Sequence, residues 1–385
     1  MSVSPTGQQA TGGTTGLLDR ARHNGRAALA PTQAPGQTTY YGRPMIKKPT
    51  WKWPIPFYFF LGGVAGGAAV IGAAADLLGG KRHRATVRHA RYLALTLAMI
   101  CPIPLIQDLG RKARFHHMLR VFKVSSPMSV GTWILTCFGV TSGALAAKQA
   151  AEDGFIVDRE SRLGRLLRLL PGKPLSALHG VFGLGLGGYT GVLLAATAVP
   201  LWAFGGLLLG PLFLATALAT GAAALSMIAN LTGTQTEETR RDLEVVETVS
   251  TVAQLGCVVA RQTIMPPRVR RPLRRGFWGW MYQGGAVGAG MAGPLALRLG
   301  AKLSGRRSGR ALSMAGATLT LAGAVVERFG LTEAGKLSAD DPVAYQLLTA
   351  GKSGEARPTP AQQASQAPHA PAFRAGVSAP EVTGN

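Results

Sequence analysis

The chain has 385 residues, 47% of them hydrophobic and only 15% charged, with a formal net charge of +23. Abundant Gly and Ala beside so little charge exclude an ordinary water-soluble enzyme and fit helices packed in lipid. The positive charge sits in short segments between apolar runs, where it suits membrane lipid headgroups or an acidic partner; no folded basic face with interleaved aromatics points to nucleic acid.

Residues 1–50 are rich in Thr, Gly, Gln, Ala and Pro and read as a disordered tail. The stretch 53–78, WPIPFYFFLGGVAGGAAVIGAAADLL, carries no charge between Lys52 and Asp76. It exceeds the roughly 20 apolar residues that span a bilayer as a helix. Trp51, Trp53, Phe57 and Tyr58 are rings that settle at a membrane interface. Gly62 with Gly66, and Gly63 with Gly67, are spaced to let a second helix come close.

A second span is expected over 89–108, ending in CPIPLIQDLG. There Pro102 and Pro104 break the backbone ladder and leave Asp108 beside the freed carbonyls. The third span is 128–148. A polar connection, 149–174, follows, whose LGRLLRLL portion suits an interfacial helix. The fourth and fifth spans are 175–202 and 204–228, and the sixth, 241–264, is the one with several charges. A turn with Arg268, Arg270, Arg271, Arg274 and Arg275 leads to the seventh, 277–299, and the eighth is 311–329. The chain turns polar from about 331, giving a membrane domain over 51–330 and a mostly disordered tail over 331–385.

The expected fold is therefore an all-α integral membrane protein, a bundle of eight transmembrane helices with both termini on one side. That side is called X here and the other Y. Side X collects Trp53, Asp108, Trp202 and the 268–275 turn. Lys and Arg are similarly frequent on both faces, so the positive-inside rule does not orient the chain.

Asp108 is the charge most suited to chemistry, because a carboxylate near a span end is costly unless it faces protein or a polar cavity. Pairing with Arg111 or Arg114 is the plainer reading. In the sixth span Glu244, Glu247, Thr251 and Gln254 recur at helical spacing, with Thr248 on the flank of the stripe. With Asp76, Lys148 and His179 near side Y, this stripe suits a proton or water path, and helix-end pairing with Arg240, Arg241 and Lys148 is its alternative. Glu327 and Arg261 are expected at the X ends of their spans beside basic neighbours.

Cys101, Cys137 and Cys257 are far apart and form no CxxC, so neither an iron–sulfur cluster nor structural zinc is expected in this chain. Haem would need two axial ligands deep in facing helices, and only His179 lies well inside a span. Gly183, Gly185 and Gly188 match a dinucleotide fingerprint by accident. They lie in an apolar helix with no strand before them, and they serve tight packing.

WPIPFYFFLGGVAGG, then CPIPLIQDLGRKARFHHML, then SSPMSVGTW, with YTGVLL at 189–194 and VPLW at 199–202, resembles the NrfD-type family of polysulfide reductase membrane subunits over about 55–330. The resemblance implies an eight-helix subunit in a bacterial plasma membrane that binds a quinone, menaquinone or ubiquinone. It also implies an iron–sulfur partner of the four-cluster ferredoxin-like kind and a molybdopterin catalytic subunit beyond it. It assigns quinone-site roles to Asp108 and Tyr189, while the first-span polar residues of some members have no clear match in 57–75. Trp53, Phe57 and Trp202 would rim the entry of the flat ring. A stand-alone transporter is the competing class. It calls for broken helices at matching positions in two halves, and the second-span prolines have no counterpart in the sixth.

Overall fold

The computed structural model describes residues 46–154, 160–304 and 309–353, and every regular element among them is helical. Most of both expected tails, 1–45 and 354–385, lies outside the described residues.

Helix α1 (Pro54–Leu78) starts on prolines in its first turn, where a missing N–H costs nothing. α2 (Arg84–Ile100) gives way to α3 (Pro102–Asp108) at the expected break, because Pro102 opens a new helix. α4 (Pro127–Asp153) is capped by the Ser126 side chain, which accepts from Ser129 N–H, and it ends on left-handed Gly154. The segment 163–170, expected to form a short helix, supplies α5 (Arg162–Arg168). α6 (Gly172–Ala195) and α7 (Leu209–Leu231) are joined through a short turn, Pro200–Ala203. Thr236 caps α8 (Glu237–Ile264), whose first turn carries Glu237 and Glu238 at the positive end of the helix dipole. Beyond it, Gly276–Trp280 runs into a glycine-rich π-helix, Met281–Ala292, and then α9 (Gly293–Leu303). α10 (Arg310–Ala339) and α11 (Pro342–Ser353) complete the described chain.

Among the described residues, six helices are long and apolar enough to cross a membrane: Pro54–Leu78, Arg84–Asp108, Pro127–Asp153, Gly172–Ala195, Gly206–Leu231 and Glu237–Ile264. The count of eight is not reached on that measure, and each missing span has a local cause. The seventh is divided by the π-helical stretch. In the eighth, Glu327 and Arg328 interrupt the apolar run of α10. Both stretches nevertheless pack lengthwise, Gly290 against Gly323 backbone to backbone. α10 also runs past the expected end at 329 to Ala339, so the polar tail starts later than its composition suggests.

α1 is the hub, with 78% of its apolar window buried, against 33% for α8. Small residues make this possible. A Cβ at Gly66 would meet the Gly183 carbonyl at 2.6 Å, and one at Gly67 would run into the Ala217 carbonyl. The paired glycine spacing of α1 thus faces two partners, α6 through Gly66 and α7 through Gly67. The Gly183–Gly188 run takes the packing role expected of it.

Candidate functional site

Asp108 is the last residue of α3, at the X end. A carboxylate there opposes the negative end of the helix dipole, so it does not serve the stability of its own helix. It is half-buried, and its Oδ1 accepts from the Lys52 backbone N–H at 3.4 Å, just before α1 begins. Neither Arg111 nor Arg114 pairs with it among the described residues.

Tyr189, on α6, donates its hydroxyl to the Pro127 carbonyl at the start of α4. Its ring lies against Gly131, where any Cβ would collide with it. Tyr58 is a residue that sequence reading passed over as a site group. It is buried, within electrostatic reach of Tyr189 and Cys101, and its hydroxyl has no partner among the described residues. The signal was available, since Tyr58 is the one hydroxyl in the whole apolar length of α1. Six residues separate Lys52 from Tyr58, about 9 Å along a helix axis, so the carboxylate and the two phenols gather at one end of the bundle.

The aromatic rim divides. Trp53 is 59% exposed and Phe57 half-buried, their rings 6.2 Å apart. Trp202 is wholly enclosed instead, its Nε1 donating to the Leu331 carbonyl at 2.9 Å and its ring stacked on Trp51. The extra length of α10 covers it, and Gly335 leaves room for the indole. Trp202 is an interior strut, not a rim.

The α8 stripe meets partners on three other helices. Glu247 is buried, pairs with Arg298 of α9 at 2.5 Å, and accepts from Thr320 of α10 at 2.6 Å. Two turns further along both helices, Gln254 donates to Glu327 at 3.2 Å and to Thr216 of α7 at 2.9 Å, and Thr216 itself donates to Glu327 at 2.9 Å. Buried Thr251 lies between these rungs, which are seven residues apart, or about 10 Å. Glu244, nearer the Y end, is half-buried and paired with Arg240 at 3.3 Å.

Arg261 is in the last turn of α8 and Glu327 has the basic neighbour Arg328, as expected, but the site is interior. Both are fully enclosed, together with Arg328. Arg328 lies 3.7 Å from the Glu327 carboxylate and 3.5 Å over the Phe213 ring, while Arg261 donates to the Leu201 carbonyl at 3.0 Å. Glu327 Oε1, Arg261 Nε and Arg328 Nε have no hydrogen-bond partner among the described residues. Buried polar atoms of this kind are where internal water is held.

His179 does not join this stripe. Its Nδ1 lies 3.0 Å from Thr141 Oγ1, and its ring stands against Phe138 in the other half of the bundle. Nearby, Arg91 binds Asp76 at 2.9 Å and Gln149 at 2.9 Å, and Ser176 donates to Asp76. Lys148 pairs with Glu152 at 3.3 Å. This second Y-end network ties α1, α2, α4 and α6 together. No group of three or more His, Cys, Asp or Glu able to hold a metal ion gathers among the described residues.

Comparison with curated proteins finds no match. The family model described as polysulphide reductase, NrfD, matches residues 44–339, which include every helix from α1 to α10 and all the groups above. Matched over that length, and with six helices among the described residues long and apolar enough to cross a membrane, the chain belongs to the polysulphide reductase NrfD family of membrane proteins.

Proposed function

We propose that the chain is the quinone-binding membrane subunit of a multi-subunit oxidoreductase, resident in a bacterial plasma membrane. It exchanges electrons between a four-cluster ferredoxin-like iron–sulfur partner and the quinone pool, with a molybdopterin subunit beyond that partner. Family membership supports the class of assembly. The observation that carries the site is Asp108, a helix-end carboxylate with no cationic partner among the described residues, at the same end as Tyr58 and Tyr189.

The donor set fits a quinone. A flat apolar ring with two carbonyl oxygens needs apolar walls and two hydrogen-bond donors, and it takes up two electrons and two protons when reduced. Phe57, Leu97 and Leu105 offer the apolar surface. Tyr58 brings a hydroxyl not otherwise engaged, and Asp108 faces the solvated end, where it can exchange a proton with water. Tyr189 can serve by turning its hydroxyl from the Pro127 carbonyl. Asp108 holds and returns the proton, and the phenols orient the ring.

The stripe from Glu244 through Glu247 and Thr251 to Gln254 supports a proton path from side Y in the same subunit. The facing groups Thr320, Thr216 and Glu327 extend it inward.

Asp108→Asn tests the site. It keeps volume and hydrogen bonding but cannot exchange a proton, so quinone turnover by the assembled complex should fall by about 10²–10⁴-fold. Electron transfer to a soluble dye should survive. Equal loss of both activities, or loss of neither, would remove Asp108 from the chemistry.

A further inference from the structure

A groove of about 830 Å³ opens between α8 and α9 at the Y end, far from Asp108. α9 packs on α10 and stands off from α8, to which the Arg298–Glu247 ion pair joins it. The upper rim carries Arg241 and Lys302, both exposed and without an ion pair among the described residues. The two acids of the walls, Glu237 and Glu244, share Arg240, and Arg298 is taken by buried Glu247 behind the wall, so neither Arg241 nor Lys302 is engaged by them. The connection that follows, 302–310, reads KLSGRRSGR and contains no acid.

Below the rim the walls are apolar. Val245 and Val249 on α8 and Leu299 on α9 are 55%, 64% and 58% exposed. Arg241 to Val249 is eight residues, about 12 Å of helix, and Lys302 to Leu295 is about 10 Å. Two cations without an ion pair, above roughly that depth of valine and leucine, match the profile of a glycerophospholipid with an anionic headgroup. A partner helix without acids would leave the cations without counter-charge, and a zwitterionic lipid would bring its own cation beside its phosphate.

We propose that this groove is a specific site for an anionic phospholipid, its phosphate between Arg241 and Lys302 and an acyl chain along Val245, Val249 and Leu299. The proposal needs only that α8 and α9 border the bilayer, so it stands or falls apart from the quinone reading. Each basic residue near an anionic headgroup contributes roughly 5-fold in affinity, so the pair predicts a preference of about 25-fold.

The test is native mass spectrometry of the delipidated full-length chain, titrated with phosphatidylglycerol or phosphatidylcholine. Wild type should retain phosphatidylglycerol with that preference, and Arg241→Gln with Lys302→Gln should abolish it. Arg84→Gln with Lys173→Gln removes two exposed cations at the same end but outside the groove, and should leave the preference intact. If the first pair of substitutions impairs folding, Val249→Trp offers an independent arm, since it fills the groove without changing charge and should expel the lipid. Equal affinity for the two lipids, equal loss in both double variants, displacement by millimolar inorganic phosphate, or a detergent-stable dimer in place of the lipid adduct would each overturn the proposal.

Discussion

Glu327 and Arg328 are neighbours in the chain, and both are sealed inside the bundle with Arg261. One carboxylate therefore faces two guanidiniums, and Thr216 and Gln254 hold it in place. Removing one member of such a set leaves a buried charge unmatched, which costs about 3–5 kcal/mol, whereas replacing both members by apolar or neutral groups of similar size is close to neutral. Glu327→Ala should accordingly destabilise the purified chain strongly in thermal unfolding. Glu327→Gln combined with Arg328→Met should restore much of that loss. A loss below about 1 kcal/mol for Glu327→Ala would place the pair among weak surface-type contacts. The sequence showed an acid and a base side by side near a presumed helix end, and that pattern usually marks an interface. Their enclosure depends on Thr216 and Gln254, 111 and 73 residues away, which no local pattern reveals. The Trp202 indole was misplaced for a related reason, because what covers it is the unforeseen last part of α10.

At the scale of elements, the helix break in the second span was legible because proline acts locally. Pro102 does open α3, while the Ser126 cap of α4 comes from the structure. The π-helical turn over Met281–Ala292 was not legible, since a glycine-rich apolar run is compatible with any helical winding. The α8 stripe was visible as a period, while its partners Arg298, Thr320 and Glu327 come from helices whose register only the fold sets. If this element conducts protons, Glu247 is its narrow point, a buried acid between the Y-end groove and the inner rung. Glu247→Gln retains an acceptor for Thr320 but cannot relay a proton. Proton uptake from the Y compartment of proteoliposomes, followed with a trapped pH dye during quinone turnover, should slow by at least about 10²-fold if this is the sole route. Unchanged uptake would leave the stripe as ion pairing alone.

Over the whole molecule, polar chemistry divides between the two ends, and the X end also concentrates positive charge. Five arginines line a concavity of about 500 Å³ over Arg268–Arg275, and no acid lines it. Arg270 and Arg274 are held by Gln262, through its carbonyl and its side-chain oxygen, which fixes the direction in which they present charge. Arg268 binds Asp341 at 3.1 Å and so joins this turn to the start of α11. Asp341 is partly desolvated, which raises a carboxylate. The Arg268 hydrogen bond, the Ala344 and Val343 backbone N–H groups and the Arg268 charge outweigh that and leave it below its ordinary value. With the folded value lowered, the clasp contributes fully above the unfolded pKa and is lost only as pH falls through the folded one, so it is intact at neutral pH. The surface is thus preformed, strongly positive and anchored at both edges, which suits the acidic iron–sulfur partner proposed for this subunit. Charge pairing at such an interface weakens with salt. Arg270→Glu, Arg271→Glu and Arg274→Glu together should release the partner from membranes at moderate salt, read by sedimentation of membranes and assay of the supernatant for iron–sulfur protein. Asp341→Asn should leave docking in place and loosen only α11, seen as faster amide exchange over 342–353. Retention of the partner by the triple variant at every salt concentration would move the docking surface elsewhere, with the basic loop from Arg111 to Lys123 the next to reverse.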